Sequence, residues 1–262
     1  MARSALLTIM TNAAMKAGKA LSRDFGEVQN LQVSVKGPGD FVSNADRNAE
    51  KIIRVELEKA RPGYNFLMEE SGVIEGREKA YRWIVDPLDG TTNFLHGIPI
   101  FAVSIALERE GQLIAGVIYN PAMDELYTAE RGGGAFMNDR RLRVAARKDL
   151  ADCVFGTGIP HLGRSGHSRF LEQQRRIMLK VSGVRRMGAA ALDLAYVAAG
   201  RLDAFWESGL SPWDVAAGII LIRESGGFVT DLAGGHDMLG CGDIAAGNEI
   251  IHGKLLTTLN AA

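Results

Sequence analysis

The stretch WIVDPLDGTTNF (residues 83–94) runs an apolar segment straight into a carboxylate, Asp86, and sets a second acid, Asp89, three places later. Pro87 lacks a backbone N–H and fixes φ, so the run 81–85 reads as a strand that ends on Asp86, followed by a turn that swings Asp89 back beside it. Two carboxylates this close repel unless a cation lies between them. Hard oxygen ligands select Mg²⁺, Mn²⁺ or Ca²⁺ over zinc. An EF-hand does not fit, because Leu88 and Gly97 stand in the wrong places. After Asp89, Gly90-Thr91-Thr92 precede the apolar-rich NFLHG, which suits the start of a helix and its free N–H groups, a ready phosphate cradle. Taken alone, a capped surface turn with two solvated acids explains the same residues.

Two distant segments bear on that choice. YNFLM (64–68) reads as a short strand ending on Glu69-Glu70-Ser71, which places carboxylates at the end of a neighbouring strand. SPWDVAAG (211–218) puts Asp214 at the head of an apolar helix, after a proline. An aspartate there serves equally as a helix cap. Together with Asp86 and Asp89, however, Glu69 and Asp214 complete the oxygen-rich set that two nearby Mg²⁺ ions require.

The rest of the chain supplies a scaffold. Leu6, Ile9, Met10, Ala13 and Ala17 recur at helical spacing, predicting an amphipathic N-terminal helix rather than an export signal. KGPGDFVSNAD reads as a polar connector with a turn at Gly37, Pro38 and Gly39. Ser43 or Asn44 caps a helix that Pro62 and Gly63 terminate. From Phe101 to about Val144 the pattern has period two, a meander whose Gly132-Gly133-Gly134 is a hairpin turn; it lacks the Lys-Ser/Thr of a phosphate-binding P-loop. The second half alternates helix and strand, and the Ala-rich stretch 188–199 reads as core packing. The expectation is an α+β fold of stacked layers, one domain over 1–262 with half-domains of about 1–145 and 146–262.

Bulk properties exclude several classes. With 262 residues, 47% apolar and 23% charged, the chain can bury a core without staples. A formal net charge of −1 gives no overall field for nucleic acid or anionic membrane, and no run reaches the ~20 apolar residues of a membrane span. Two cysteines far apart, Cys153 and Cys241, predict a reducing cytoplasm rather than a disulfide scaffold. His161 and His167, in a Gly/Ser-rich loop without ligand spacing, read as solvated. Arg185-Arg186 and the basic stretch RGGGAFMNDRRLRVAARK read as solvated surface or a subunit interface, since no aromatic residues interleave them.

Glu69-Glu70-Ser71, the run from Asp86 to Phe94 and Trp213-Asp214 together resemble the inositol monophosphatase family. GDFVSNAD, FAVSIAL, ERGGGAF, GAAALDLAYVAAGRLDAFWE and ESGGFVTDL extend the resemblance over nearly the whole chain. It implies a layered αβαβα sandwich of the sugar-phosphatase type and Mg²⁺-dependent hydrolysis of a phosphate monoester by metal-activated water. By resemblance, Glu69, Asp86 and the Leu88 carbonyl hold one ion and Asp86, Asp89 and Asp214 a second, with a third, weaker ion on Glu69 and waters. Thr91 and Glu69 orient the attacking water, and Asp46 supports Thr91. Gly90 and Thr91 amides grip the phosphate, while Glu207, Gly188 and Ala190 meet the polyol. Lithium sensitivity and a homodimer are further implications. Ser43 stands where threonine is frequent, and GTGIPHLGRSGH has no trusted match, which leaves the substrate open. Histidinol phosphate, 3′-phosphoadenosine 5′-phosphate and fructose 1,6-bisphosphate are alternatives, although Thr91-Thr92-Asn93-Phe94 favours a small polyol monophosphate. A non-enzymatic alternative is a macromolecule-binding protein that keeps the fold.

Overall fold

The computed structural model describes residues 3–25, 33–37, 40–161 and 163–261. Helix α1 (Ala5–Phe25) is followed by a two-stranded antiparallel ribbon, β1 (Val33–Gly37) and β2 (Asp40–Ser43), and by α2 (Asn44–Ala60). The predicted polar connector is thus largely paired strand. Its turn at Pro38-Gly39 and the Ser43 side chain lie outside the described residues. Next come β3 (Tyr64–Met68), β4 (Gly72–Ile74), β5 (Glu78–Asp89) and the short α3 (Thr91–Leu95). Strands β6 (Ala102–Arg109), β7 (Gln112–Asn120), β8 (Glu125–Glu130), β9 (Gly134–Met137) and β10 (Arg140–Arg141) form the expected meander, with the glycine triplet turning β8 into β9. The second half holds β11 (Val154–Thr157), α4 (His167–Met178), β12 (Gly183–Arg185), α5 (Ala190–Ala198), β13 (Ala204–Glu207), α6 (Pro212–Glu224), β14 (Phe228–Thr230), α7 (Met238–Cys241), β15 (Ile244–Gly247) and α8 (Glu249–Leu259).

Eight strands make one sheet, in the order β10-β9-β8-β7-β6-β5-β3-β4, and five make another, β12-β11-β13-β15-β14. The larger sheet is antiparallel except where β3 runs parallel to β5. Helices α1 and α2 cover its outer face, packing Met10, Ala13, Ala17, Leu21, Ile53 and Leu57 onto it. Helices α5 and α6 lie between the two sheets, and α4 with α8 covers the far face of the smaller one. The layering is therefore αβαβα. Both faces of the long strands are covered, so β6 reads almost wholly buried rather than alternating.

The middle layer is thin because its residues are small. All nine residues of α5 are buried, as the alanine-rich sequence predicts. Gly116 on β7 and Gly218 on α6 permit the closest approaches. A Cβ on Gly116 would stand 3.0 Å from the Ala217 carbonyl and 2.6 Å from Ile220, and one on Gly218 would meet Leu194 at 2.4 Å. Helix α6 is thereby clamped between sheet and α5 with no room to slide.

The strand that opens on the aspartates departs from the sequence reading. No turn follows Asp86: β5 continues through Pro87 and Leu88 to Asp89. Its pairing with β6 shifts register there, since Asp86 faces Ser104 and Asp89 faces Ala102, three steps on one strand against two on the other. Side chains alternate faces along a strand, so residues three apart normally point opposite ways. This bulge restores parity and puts both aspartates on one face. Pro87, which has no N–H to give the ladder, sits where the ladder is broken.

Replacing Gly116 by valine should force α6 away from the sheet. Overpacking of this kind typically costs about 1–3 kcal/mol, and urea unfolding followed by circular dichroism should show a correspondingly lower midpoint with an unchanged slope.

Candidate active site

Six elements, β3, β5, α3, α5, β13 and α6, converge on one cavity of about 290 Å³, lined by Glu69, Asp86, Leu88, Asp89, Gly90, Thr91, Thr92, Gly188, Ala190, Glu207 and Asp214, among others. Glu69 follows β3, and its N–H bonds the Val85 carbonyl at 3.2 Å, which sets it beside the end of β5. Ser104, opposite Asp86 on β6, donates to the Trp213 carbonyl at 3.2 Å and draws the start of α6 to the face that carries both aspartates. Asp214 arrives there as the third helical residue.

Each aspartate is oriented by a backbone N–H. Leu88 N donates to Asp86 Oδ1 at 2.9 Å, Ala191 N to Asp89 Oδ2 at 2.8 Å, and Ser211 N to Asp214 Oδ2 at 2.8 Å. The last bond belongs to a capping box between Ser211 and Asp214, so the cap and the site are one and the same arrangement. The second oxygen of each group is left to face its neighbours.

Those neighbours are acids, and the electrostatics follow. Burial pushes Asp86 well above the usual carboxylate range, with Glu69, Asp89, Asp214 and Asp46 adding repulsion. Burial does the same to Asp89, reinforced by Asp214 and relieved by the Ala191 N–H. Asp214 is pushed up to about 7, chiefly by burial and next by Glu69, against the pull of the Ser211 N–H and Arg164. Burial and the neighbouring acids thus work against the ionised form that a helix cap would use. A helix cap alone does not account for an acid in that place. The set fits hard divalent cations, whose charge offsets the repulsion. Carboxylate oxygens of Asp46, Glu69 and Glu70 also lie within 4.8 Å of one another, a further grouping able to take a metal ion.

A second side of the cavity is built on α3. Gly90 caps it with φ 87°, a conformation that suits glycine, and a Cβ there would stand 2.8 Å from the Ile100 carbonyl. The buried ring of Phe94 packs edge-on against Phe101 at 5.0 Å and tilted against Phe25 at 5.5 Å, anchoring this short helix. Thr91 Oγ1 donates to the Leu88 carbonyl at 2.9 Å and lies 3.4 Å from Asp46 Oδ2. Asn93 donates to the Ile100 and Met187 carbonyls at 2.8 and 2.9 Å, tying the α3 side to the segment that holds Gly188 and Ala190.

All the predicted site residues line this cavity except Asp46, which is fully buried behind Thr91. Glu207, at the end of β13, is pushed up to about 8 by burial and by Asp214, with Arg164 and Arg186 pulling it down. The loop without a trusted match proves to be a wall: Gly158, Ile159, His161 and Arg164 line the cavity. The reading of His161 as a solvated residue is thereby corrected, whereas His167 is exposed as expected. Arg186 is exposed, as the sequence reading expects, and it also lines the cavity, because the chain passes from β12 into α5 there. Sequence reasoning missed Asp193 too, which is 1% exposed on α5 and lines the same cavity. Only its place in the first turn of an apolar helix could have marked it. Cys153 is buried, Cys241 is exposed, and both are free. No described helix is long and apolar enough to cross a membrane.

Comparison with known proteins gives a consistent result. The model of the inositol monophosphatase family matches residues 2–262. An inositol-1-monophosphatase of Mesorhizobium japonicum is 73% identical, over 98% of this chain and 96% of its own length. A protein of Pseudomonas aeruginosa named Nus factor SuhB is 46% identical, over 97% of this chain and 95% of its own. The crystal structure of the extragenic suppressor protein suhB of Bartonella henselae superposes with a TM-score of 0.97 at 63% identity, covering 99% of this chain and all of the other.

The raised carboxylates fix a sign. A group whose pKa is higher in the folded state favours folding only while protonated, so the stability tied to it is lost as pH rises from the unfolded value near 4 through 7–8. Divalent cations reverse that loss. The gain in Tm on adding Mg²⁺ to metal-free protein should therefore grow between pH 6 and pH 8 in differential scanning fluorimetry, and flatten in Asp214→Asn.

Proposed function

The chain belongs to the inositol monophosphatase family, and from that premise we propose that it hydrolyses myo-inositol monophosphate to inositol and phosphate with Mg²⁺ as cofactor. Family membership and the inositol-1-monophosphatase relatives make it a phosphoric monoester hydrolase. One observation carries the finer reading: Glu69, Asp86, Asp89 and Asp214 share a cavity with the glycine and threonine of a helix start and with a polar wall suited to a polyol.

In this reading Glu69, Asp86 and the Leu88 carbonyl would hold one ion, and Asp86, Asp89 and Asp214 would hold another. Bound Mg²⁺ would supply positive charge to the phosphate and its leaving oxygen and lower the pKa of water beside it. The chain's own groups do the rest. Thr91, held by the Leu88 carbonyl and backed by Asp46, acts with Glu69 to orient water toward phosphorus. The Gly90 and Thr91 N–H groups grip phosphate oxygens, and those contacts strengthen as charge builds in the transition state. Glu207 and the backbone of Gly188 and Ala190 fix the ring hydroxyls.

The wall near Glu207 is intolerant of bulk. A Cβ on Gly158 would fall 1.9 Å from the Glu207 carboxylate carbon, so glycine at 158 lets that carboxylate lie against the backbone. A compact polyol suits this side of the cavity. A macromolecule-binding role is the second reading, favoured by the Nus factor name of the P. aeruginosa relative. Every acid required for chemistry is in place, which favours catalysis. Lithium sensitivity and a homodimer accompany the proposal on the family resemblance, and a cytoplasmic location on the two distant cysteines.

The test is phosphate release from inositol 1-phosphate with and without Mg²⁺, beside histidinol phosphate, 3′-phosphoadenosine 5′-phosphate and fructose 1,6-bisphosphate. Wild type should turn over the inositol ester only with Mg²⁺. Asp89→Asn should lower kcat on the order of 10²–10³-fold, the usual effect of losing one electrostatic contact of this kind. Folded, Mg²⁺-loaded wild type inert on the whole panel would refute the reading.

A further inference from the structure

One buried acid of the cavity has no place in the chemistry proposed above. Asp193 stands on α5 two residues after Ala191, whose N–H fixes Asp89. It is 1% exposed and lines the cavity, and its Oδ1 is buried without a hydrogen-bond partner among the described residues. Its neighbours in the chain, Leu192 and Leu194, are apolar and fully buried.

Strand β11 makes room for this group. Gly156 and Gly158 stand two apart, and each leaves the space of a side chain to a carboxyl group. A Cβ on Gly156 would stand 3.0 Å from Asp193 Oδ1, just as one on Gly158 would fall on the Glu207 carboxylate. Thr157, between them, is tied to the Trp206 carbonyl at 2.9 Å, which fixes the strand against β13. Glu207 contributes the strongest charge felt by Asp193, ahead of Asp89, while Arg186 acts on both in the opposite sense. Asp193 and Glu207 therefore form a carboxyl pair on one wall, held against glycine backbone. A buried polar group without a partner is costly, and buried polar groups are normally bonded. Since Oδ1 finds no donor in the protein, its partner has to come from the cavity.

We infer that Asp193 is a specificity-determining residue: it bonds a ring hydroxyl of the polyol next to the one that Glu207 meets, so that the cavity selects alcohols with neighbouring hydroxyls. The inference rests on the phosphomonoesterase reading of this cavity. A hydroxyl both donates and accepts, so it pairs with a carboxyl group in either protonation state. A site built to bond a hydroxyl rejects the analogue that lacks it, because its own buried polar group then stays unpaired.

The experiment measures kcat/KM for inositol 1-phosphate and for its monodeoxy analogues, each lacking one ring hydroxyl, on wild type, Asp193→Leu and Asp193→Asn. For the analogue without the hydroxyl that faces Asp193, wild type should prefer the complete ester about tenfold, the weight of one hydrogen bond. The difference should lie chiefly in KM. Asp193→Leu should abolish that preference and leave those for the other hydroxyls. Asp193→Asn, which can still bond a hydroxyl, should keep it within about threefold. Asp193→Ala takes the place of Asp193→Leu if the leucine variant does not fold. Equal losses on every ester would mark a merely structural residue, and unchanged preferences throughout would mean that water alone meets the carboxyl group; either result overturns the inference. Should wild type turn over no ester, calorimetric titration of the same esters in Mg²⁺ decides. Tighter binding of the complete ester, with the advantage gone in Asp193→Leu, sustains the role of Asp193 while the catalytic reading falls. No such advantage sinks both.

Discussion

Mutual repulsion among buried carboxylates is the constraint around which this molecule is arranged. Asp86, Asp89, Asp214 and Glu69 line one cavity, and burial raises the cost of ionising the three aspartates. Left to their own forces these groups would separate. They are kept together because each aspartate is fixed by a backbone N–H on an element that cannot move: β5 in the middle of a sheet, α5 packed between sheets, and α6 clamped by close backbone contacts at Gly116 and Gly218. Stored electrostatic strain of this kind favours binding of cations.

That constraint links the two sheets. Asp89 is on β5 of the larger sheet, but its hydrogen-bond donor, Ala191, opens the helix that packs on the smaller one. Asn93 makes a second tie to the Met187 carbonyl, and Ser104 a third to Trp213. Through these three bonds the side of the cavity formed by the first half of the chain is held in register with the side formed by the second. Small residues in the middle layer permit the approach, for a bulkier α5 would separate the sheets and with them the two sides of the cavity.

The far wall is of another kind. Positive charge replaces negative: Arg164 and Arg186 flank Glu207 and lower its raised pKa, and Arg169 stands further out at the start of an uncapped helix. The guanidinium groups give the mouth a positive potential above the acids at the floor. Gly158, Ile159, His161 and Arg164 of one loop form this wall, apart from the acids.

The acids themselves were legible in the sequence, because carboxylates at the end of apolar runs are costly without a purpose and Glu69, Asp86, Asp89 and Asp214 all sit at such ends. Period and composition gave the layers as well: the buried alanine helix, the meander and the amphipathic first helix each follow from local pattern. Parity was not legible. A proline between two aspartates suggested a turn, and only pairing against β6 reveals a bulge that returns Asp86 and Asp89 to one face. Nor could His161, Arg164, Arg186 and Asp193 be placed, since a basic pair or a lone histidine in a glycine-rich loop looks the same whether it faces water or a cavity. Which residues bear the charge was written in the chain. Where those charges meet was decided by strand register and helix packing, both of which depend on contacts between residues far apart in sequence.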